Sequence, residues 1–144
     1  MFDGKTFFEV GNYLRQNSEP DGKHDAMLRS SIGRYYYACY HAAREAFKEK
    51  QNWNDHKKSS HGTICKAVRK NCSSNASSLL DTLKIMREHA DYHCWLPKTT
   101  QMGTIEFTSC PCDWDEDLEK NSREASRIAT EVLRELDRHL PPKS

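Results

Sequence analysis

The stretch DAMLRSSIGRYYYACYHAAREAFKEK, residues Asp25–Lys50, decides the fold. Ala26, Arg29, Gly33, Tyr36, Tyr40, Ala43 and Phe47 recur in steps of three and four, the period of one helix face. The stretch holds no proline, and its only glycine is Gly33. A single long helix is expected here. The small residues Gly33, Ala38, Ala42 and Ala43 suit close packing against neighbouring helices, while the tyrosines fill space and need hydroxyl partners.

Working outward, Phe7 to Gln16 reads as a short first helix, closed by the polar run Asn17-Ser18-Glu19-Pro20-Asp21-Gly22. Gln51 to Ser60 reads as a loop whose last residue, Ser60, can cap a third helix from His61 to about Lys70. Asn71 to Ser78 is polar and reads as a break. Leu79, Leu83, Met86 and Ala90 then mark a fourth helix face, with Pro97 beyond its end. Lys98 to Pro111 is expected to be a long connection. Ile105-Glu106-Phe107-Thr108 within it has strand-like residues but is assigned to loop. Asp113 and Glu116 form a capping pair for a last helix along Trp114, Leu118, Ala125, Ile128, Val132, Leu136 and Leu140, stopped by Pro141-Pro142. The expected fold is all-α, one compact bundle of about five helices over residues 1–144.

Composition narrows the function classes. Leu, Ile, Val and Phe number 23, or 16% of 144 residues, so the core is lean. The net charge of +1 argues against disorder, and ten alanines and six tyrosines add apolar bulk. It also excludes a protein that holds nucleic acid by bulk charge alone. Tyr35, Tyr36, Tyr37 and Tyr40 cover most faces of the second helix, which is expected to leave aromatic surface for a partner. No run approaches the roughly 18 apolar residues of a membrane span. Met1 to Val10 carries Asp3 and Glu9 and has no signal-peptide apolar region, so no membrane partner and a cytoplasmic location are expected.

The six cysteines, Cys39, Cys65, Cys72, Cys94, Cys110 and Cys112, are then expected to be free thiols. His89 and His93 with Cys94, Cys110 and Cys112 could ligate zinc, because two His and two Cys suit a tetrahedral ion. Small buried thiols and solvated imidazoles account for the same residues, so neither metal nor cofactor is assigned. No P-loop, GxGxxG or Ser-His-Asp order is present.

Two Arg/His constellations remain. Arg34 and His41 stand seven positions apart on the second helix, close to two turns, and point the same way. Arg87 to His93 lies on the fourth helix. Arginine grips phosphate oxygens with a planar fork, and histidine moves protons near neutral pH, so the combination suits phosphodiester chemistry. The plain alternative is an i, i+4 salt bridge between Arg87 and Asp91. His61 reads as a packing or solvated histidine. Lys66, Arg69 and Lys70 read as a solvated face or, functionally, as a phosphate-steering patch.

The order of three segments carries a resemblance. LRSSIGRYYYACYHAAREAF (Leu28–Phe47) resembles the second-helix signature of HEPN domains, SHGTI (Ser60–Ile64) resembles the segment that follows it, and MREHADY (Met86–Tyr92) resembles the R-x-x-A-D-Y element of the penultimate helix. The spacing agrees over about Phe7 to Leu136. The resemblance implies a small helical bundle that forms a two-fold homodimer. It further implies a metal-independent endoribonuclease of a toxin–antitoxin or phage-defence system, acting on RNA, with an antitoxin partner. The family motif, Arg and His separated by four to six residues, falls on Arg87 and His93. Arg87 would then hold the scissile phosphate, and His93 would be the general acid or base, with Arg34, His41, Lys66, Arg69 and Lys70 contributing to the RNA surface. The alternative within the same resemblance is a non-catalytic nucleotide-binding module that partners a nucleotidyltransferase.

Overall fold

The long apolar stripe around Gly33 makes the helix expected of it, and every other helix packs against that one. The structure, a computed structural model, describes residues 4–18, 24–53, 60–92, 96–99, 105–108 and 118–139. In chain order these form α1 (Gly4–Gln16), α2 (His24–Phe47), α3 (His61–Asn71), α4 (Ser74–Tyr92), β1 (Leu96–Thr99), β2 (Ile105–Thr108) and α5 (Leu118–His139). The five helices agree with the expected bundle. Helix α2 lies at its centre and touches α1, α3, α4 and α5. The core joins Ile32, Tyr35, Tyr36 and Phe47 of α2 to Ile64 and Val68 of α3, Leu80 and Leu83 of α4, and Ile128, Val132 and Leu136 of α5. Among the described residues, no helix is long and apolar enough to cross a membrane.

Small residues set how closely the helices approach. A methyl group on Gly4 would stand 2.6 Å from the backbone oxygen of Ala38, and one on Gly11 would stand 2.9 Å from the Tyr35 ring. These two glycines are two turns apart on α1, and together they let it lie down on α2. Gly33, which the sequence marked for close packing, has ordinary room: a methyl there would lie 3.9 Å from Asp91 Oδ1 and 4.0 Å from Arg87 Cγ. Between α2 and α5 the hydroxyls of buried Ser31 and Ser122 meet at 2.6 Å.

Helix α3 starts where expected, with Ser60 Oγ accepting from the Thr63 N–H at 3.2 Å. Several boundaries differ. The polar break expected over Asn71–Ser78 shrinks to Cys72-Ser73, because Ser73 Oγ accepts from the Ala76 N–H and starts α4 early. Glu135 of α5 holds that corner, accepting from Ser73 Oγ at 3.2 Å and Asn75 Nδ2 at 3.1 Å. Helix α2 ends at Phe47 instead of Lys50. The chain turns there through Asn52, whose φ of 54° is in the left-handed region that asparagine tolerates.

The segment assigned to loop is a hairpin. Ile105–Thr108 pairs antiparallel with Leu96–Thr99, Leu96 opposite Thr108 and Thr99 opposite Ile105. Pro97, expected only beyond the end of the fourth helix, lies within β1, where in a two-stranded ribbon its missing N–H can face the unpaired edge. The capping pair Asp113/Glu116, the start of the last helix at Trp114, and the stop at Pro141-Pro142 lie outside the described residues.

The tyrosines do not leave the aromatic surface expected of them. Tyr35 and Tyr36 are buried, and Tyr37 and Tyr40 pack partly buried against the core. Tyr35 satisfies its hydroxyl within the bundle, donating to Asn12 Oδ1 at 2.7 Å and accepting from Arg15 Nε at 3.1 Å.

Candidate functional site

The face of α2 that carries Arg29, Gly33, Tyr36 and Tyr37 is covered by the C-terminal half of α4. Arg29 is buried and donates through Nη1 to the Ala90 carbonyl at 3.3 Å, in the last turn of α4 where carbonyls lack helical partners. One turn on, Gly33 leaves space beside Arg87 and Asp91. Arg87 fills that space. Its guanidinium carbon stands 5.0 Å from the centre of the Tyr36 ring and 5.4 Å from that of Tyr37. Its Nη1 donates to the Tyr37 hydroxyl at 2.7 Å.

The salt bridge anticipated between Arg87 and Asp91 is long, at 3.9 Å, and the carboxylate is 43% exposed while the arginine side chain is only 18% exposed. Arg87 Nε is buried with no hydrogen-bond partner among the described residues. Among the described residues the cation is thus oriented by aromatic faces and a phenol, with no carboxylate oxygen closer than 3.9 Å. That is the electrostatic condition for holding an anion.

Two turns apart, Arg34 and His41 converge on α1. The Arg34 guanidinium lies 5.5 Å from the centre of the Phe7 ring, and His41 stacks on the same ring at 5.5 Å. His41 also stacks on Tyr37 at 6.0 Å. The two constellations read from the sequence therefore meet through Tyr37, which touches Phe7 and His41 with its ring and Arg87 with its hydroxyl. Burial, followed by the positive charge of Arg44, holds the His41 imidazole below its ordinary pKa. His93 lies outside the described residues, directly after the last residue of α4, and so do Cys94, Cys110 and Cys112. His89 is described but half-buried on α4.

Lys66, Arg69 and Lys70 are exposed on α3. No described contact joins Lys66 or Lys70 to Arg87. Arg69 acts elsewhere, its charge reaching Cys65 and Asp81. Those two residues belong to a group that sequence reasoning missed. His61 Nε2 lies 2.7 Å from Asp81 Oδ1 and 3.1 Å from Cys65 Sγ, and the sulfur lies 3.5 Å from the same Oδ1. On the other side of the ring, His61 Nδ1 lies 3.0 Å from the Tyr36 hydroxyl. Burial and then the Asp81 carboxylate push the Cys65 thiol up to about 12, while the hydrogen bond from His61 holds the Asp81 carboxyl below its usual range. Burial also raises the Tyr36 phenol, so that it is neutral at physiological pH. His61 is thus neither simply solvated nor simply packed.

The sequence contained half of this signal, His61 and Cys65 at i, i+4 on α3. Asp81 is on another helix and reaches them only in the folded bundle. Cys39, Cys65 and Cys72 are free thiols, in line with the expectation for those three. In comparisons with known proteins, no family model matched the chain, and no curated protein or solved structure matched it.

Proposed function

We propose that this chain is a metal-independent endoribonuclease of the HEPN kind, acting as a homodimer in a toxin–antitoxin or phage-defence system. The observation that supports the reading is Arg87: a largely buried guanidinium, fixed against Tyr36 and Tyr37, whose nearest carboxylate oxygen among the described residues is 3.9 Å away. Held this way, the group needs no reorganisation to meet a phosphate whose charge grows in the transition state. The RNA 2′-hydroxyl would attack the phosphorus, Arg87 would stabilise the pentavalent oxygens, and His93 would move the proton. Arg34 and His41, joined to Arg87 through Phe7 and Tyr37, would line the RNA path. The basic residues of α3, Lys66, Arg69 and Lys70, would steer the polyanion towards it.

The test is cleavage of single-stranded RNA by the purified chain in excess EDTA. His93→Ala is expected to lower the rate about 10²–10⁴-fold. Arg87→Ala is expected to lower it about 10²–10³-fold. Arg87→Lys keeps the charge but loses the planar fork stacked on Tyr36, and is expected to remain at least about tenfold below wild type. Cleavage abolished by EDTA would overturn the metal-independent reaction, and wild-type rates in His93→Ala would remove that residue from the site. RNA or nucleotide binding without cleavage would replace the ribonuclease by the non-catalytic module that partners a nucleotidyltransferase.

A further inference from the structure

The His61–Cys65–Asp81 group is unexplained by the ribonuclease reading, and its geometry is specific. A nucleophilic Cys–His–Asp arrangement needs the carboxylate on one ring nitrogen and the thiol on the other. Here both approach Nε2, and the opposite nitrogen meets Tyr36. Three donor atoms of different kinds, one nitrogen, one sulfur and one carboxylate oxygen, converge on a single point and lie within 4.8 Å of one another. We propose that His61, Cys65 and Asp81 form a divalent-cation site, filled by zinc, that clips α3 to α4.

The donor set selects the ion. Magnesium and calcium prefer all-oxygen shells, whereas zinc accepts imidazole, thiolate and carboxylate together. In a tetrahedral zinc shell such donors stand about 3.3–3.6 Å apart, as the ordinary Zn–N, Zn–O and Zn–S lengths require. The sulfur–oxygen separation of 3.5 Å already fits that spacing. The other two, 2.7 and 3.1 Å, need to open by about 0.5 Å: rotation of the half-exposed Asp81 carboxylate supplies the first, and a small side-chain rotation of Cys65 or His61 supplies the second. The far side of the ring is arranged for ligation as well. On metal binding the ring takes the tautomer in which Nδ1–H donates to the Tyr36 oxygen and Nε2 keeps its lone pair for the ion, an outer-shell contact that orients the histidine. Cys65 binds as thiolate, its proton passing to solvent, and water completes the fourth position on the Asp81 side.

The two ligands from α3 and one from α4 would tie the helical hairpin together. Metal binding and thermal stability report on this site whether or not Arg87 belongs to a ribonuclease.

The experiment uses the full chain, stripped with a chelator and titrated with zinc alone against a chromophoric competitor, with cobalt as the spectroscopic probe. The expected result is one tight zinc per chain and a thiolate-to-cobalt charge-transfer band. Zinc at about a hundredfold excess over Kd should raise Tm by about 5–10 °C. Cys65→Ser should abolish the band, and Asp81→Asn should weaken binding at least tenfold. Tyr36→Phe should weaken it about tenfold through His61. Asp81 is exposed, so its variant carries the test even if Cys65→Ser fails to fold. Absence of both binding and stabilisation overturns the proposal. So does binding that persists undiminished in Cys65→Ser and Asp81→Asn, which would place the ion on Cys94, Cys110 and Cys112 instead.

Discussion

Single residues in this bundle carry two duties at once, and His41 shows how the two can be separated. Its ring packs on Phe7 and Tyr37, and burial disfavours its protonated form. The unfolded chain takes up that proton more readily than the folded one. His41 therefore contributes stability that is fully present above the unfolded pKa of 6.5 and is lost as pH falls through the depressed folded value. His41→Phe keeps a ring on Phe7 and removes the proton. Its Tm should fall less than that of wild type between about pH 7.5 and about pH 5. An identical fall in both proteins would show that His41 contributes nothing to the acid sensitivity. The same logic of position over composition applies to Arg87. An arginine in R-x-x-A-D-Y looks like half of a helical salt bridge, yet its close contacts are the phenol and ring faces of α2.

At the scale of elements, the close approach of α1 to α2 rests on glycines that the hydrophobic pattern does not flag. Gly11→Ala pushes a methyl into the Tyr35 ring, which cannot yield easily because Asn12 and Arg15 hold its hydroxyl. The expected cost is about 1–2 kcal/mol, the overpacking penalty less the better helix propensity of alanine. Gly33→Ala meets no such obstacle and should stabilise α2 by up to about 1 kcal/mol. Urea unfolding of the pair checks the contrast, and equal effects at the two sites would refute the packing account. The boundary between α3 and α4 has a comparable cause. Serine and asparagine are only mildly unfavourable in helices, so Ser73 as a cap and Glu135 across the corner suffice to begin α4 at Ser74.

For the whole molecule, the lean aliphatic content is offset from within. Tyrosines, alanines and paired serines fill the space between helices, leaving Val10, Tyr13 and Ile85 as the large apolar side chains exposed among the described residues. Among the described residues the tyrosines of α2 are buried or partly buried, and the proposed homodimer rests on the family resemblance. Sedimentation at tens of micromolar is expected to give a species of twice 16.7 kDa. A single species at 16.7 kDa would remove the two-fold cleft from the proposed function and leave Arg87 to act within one chain.

The helical class, the extent of α2 to within a turn, the Ser60 cap of α3 and the residue types capable of phosphate chemistry are all written in the order of the residues. These are local matters, set by a period of 3.6 and by which side chains can satisfy exposed backbone groups. It is the packing of the helices that rests Arg87 on Tyr36 and Tyr37, brings Arg34 and His41 to Phe7, and adds Asp81 to the group begun by His61 and Cys65. Each of those contacts joins residues on different helices. The Phe7 contacts depend on the α1–α2 crossing distance that Gly4 and Gly11 set, and no periodicity within one helix can encode which face of a neighbour it will meet.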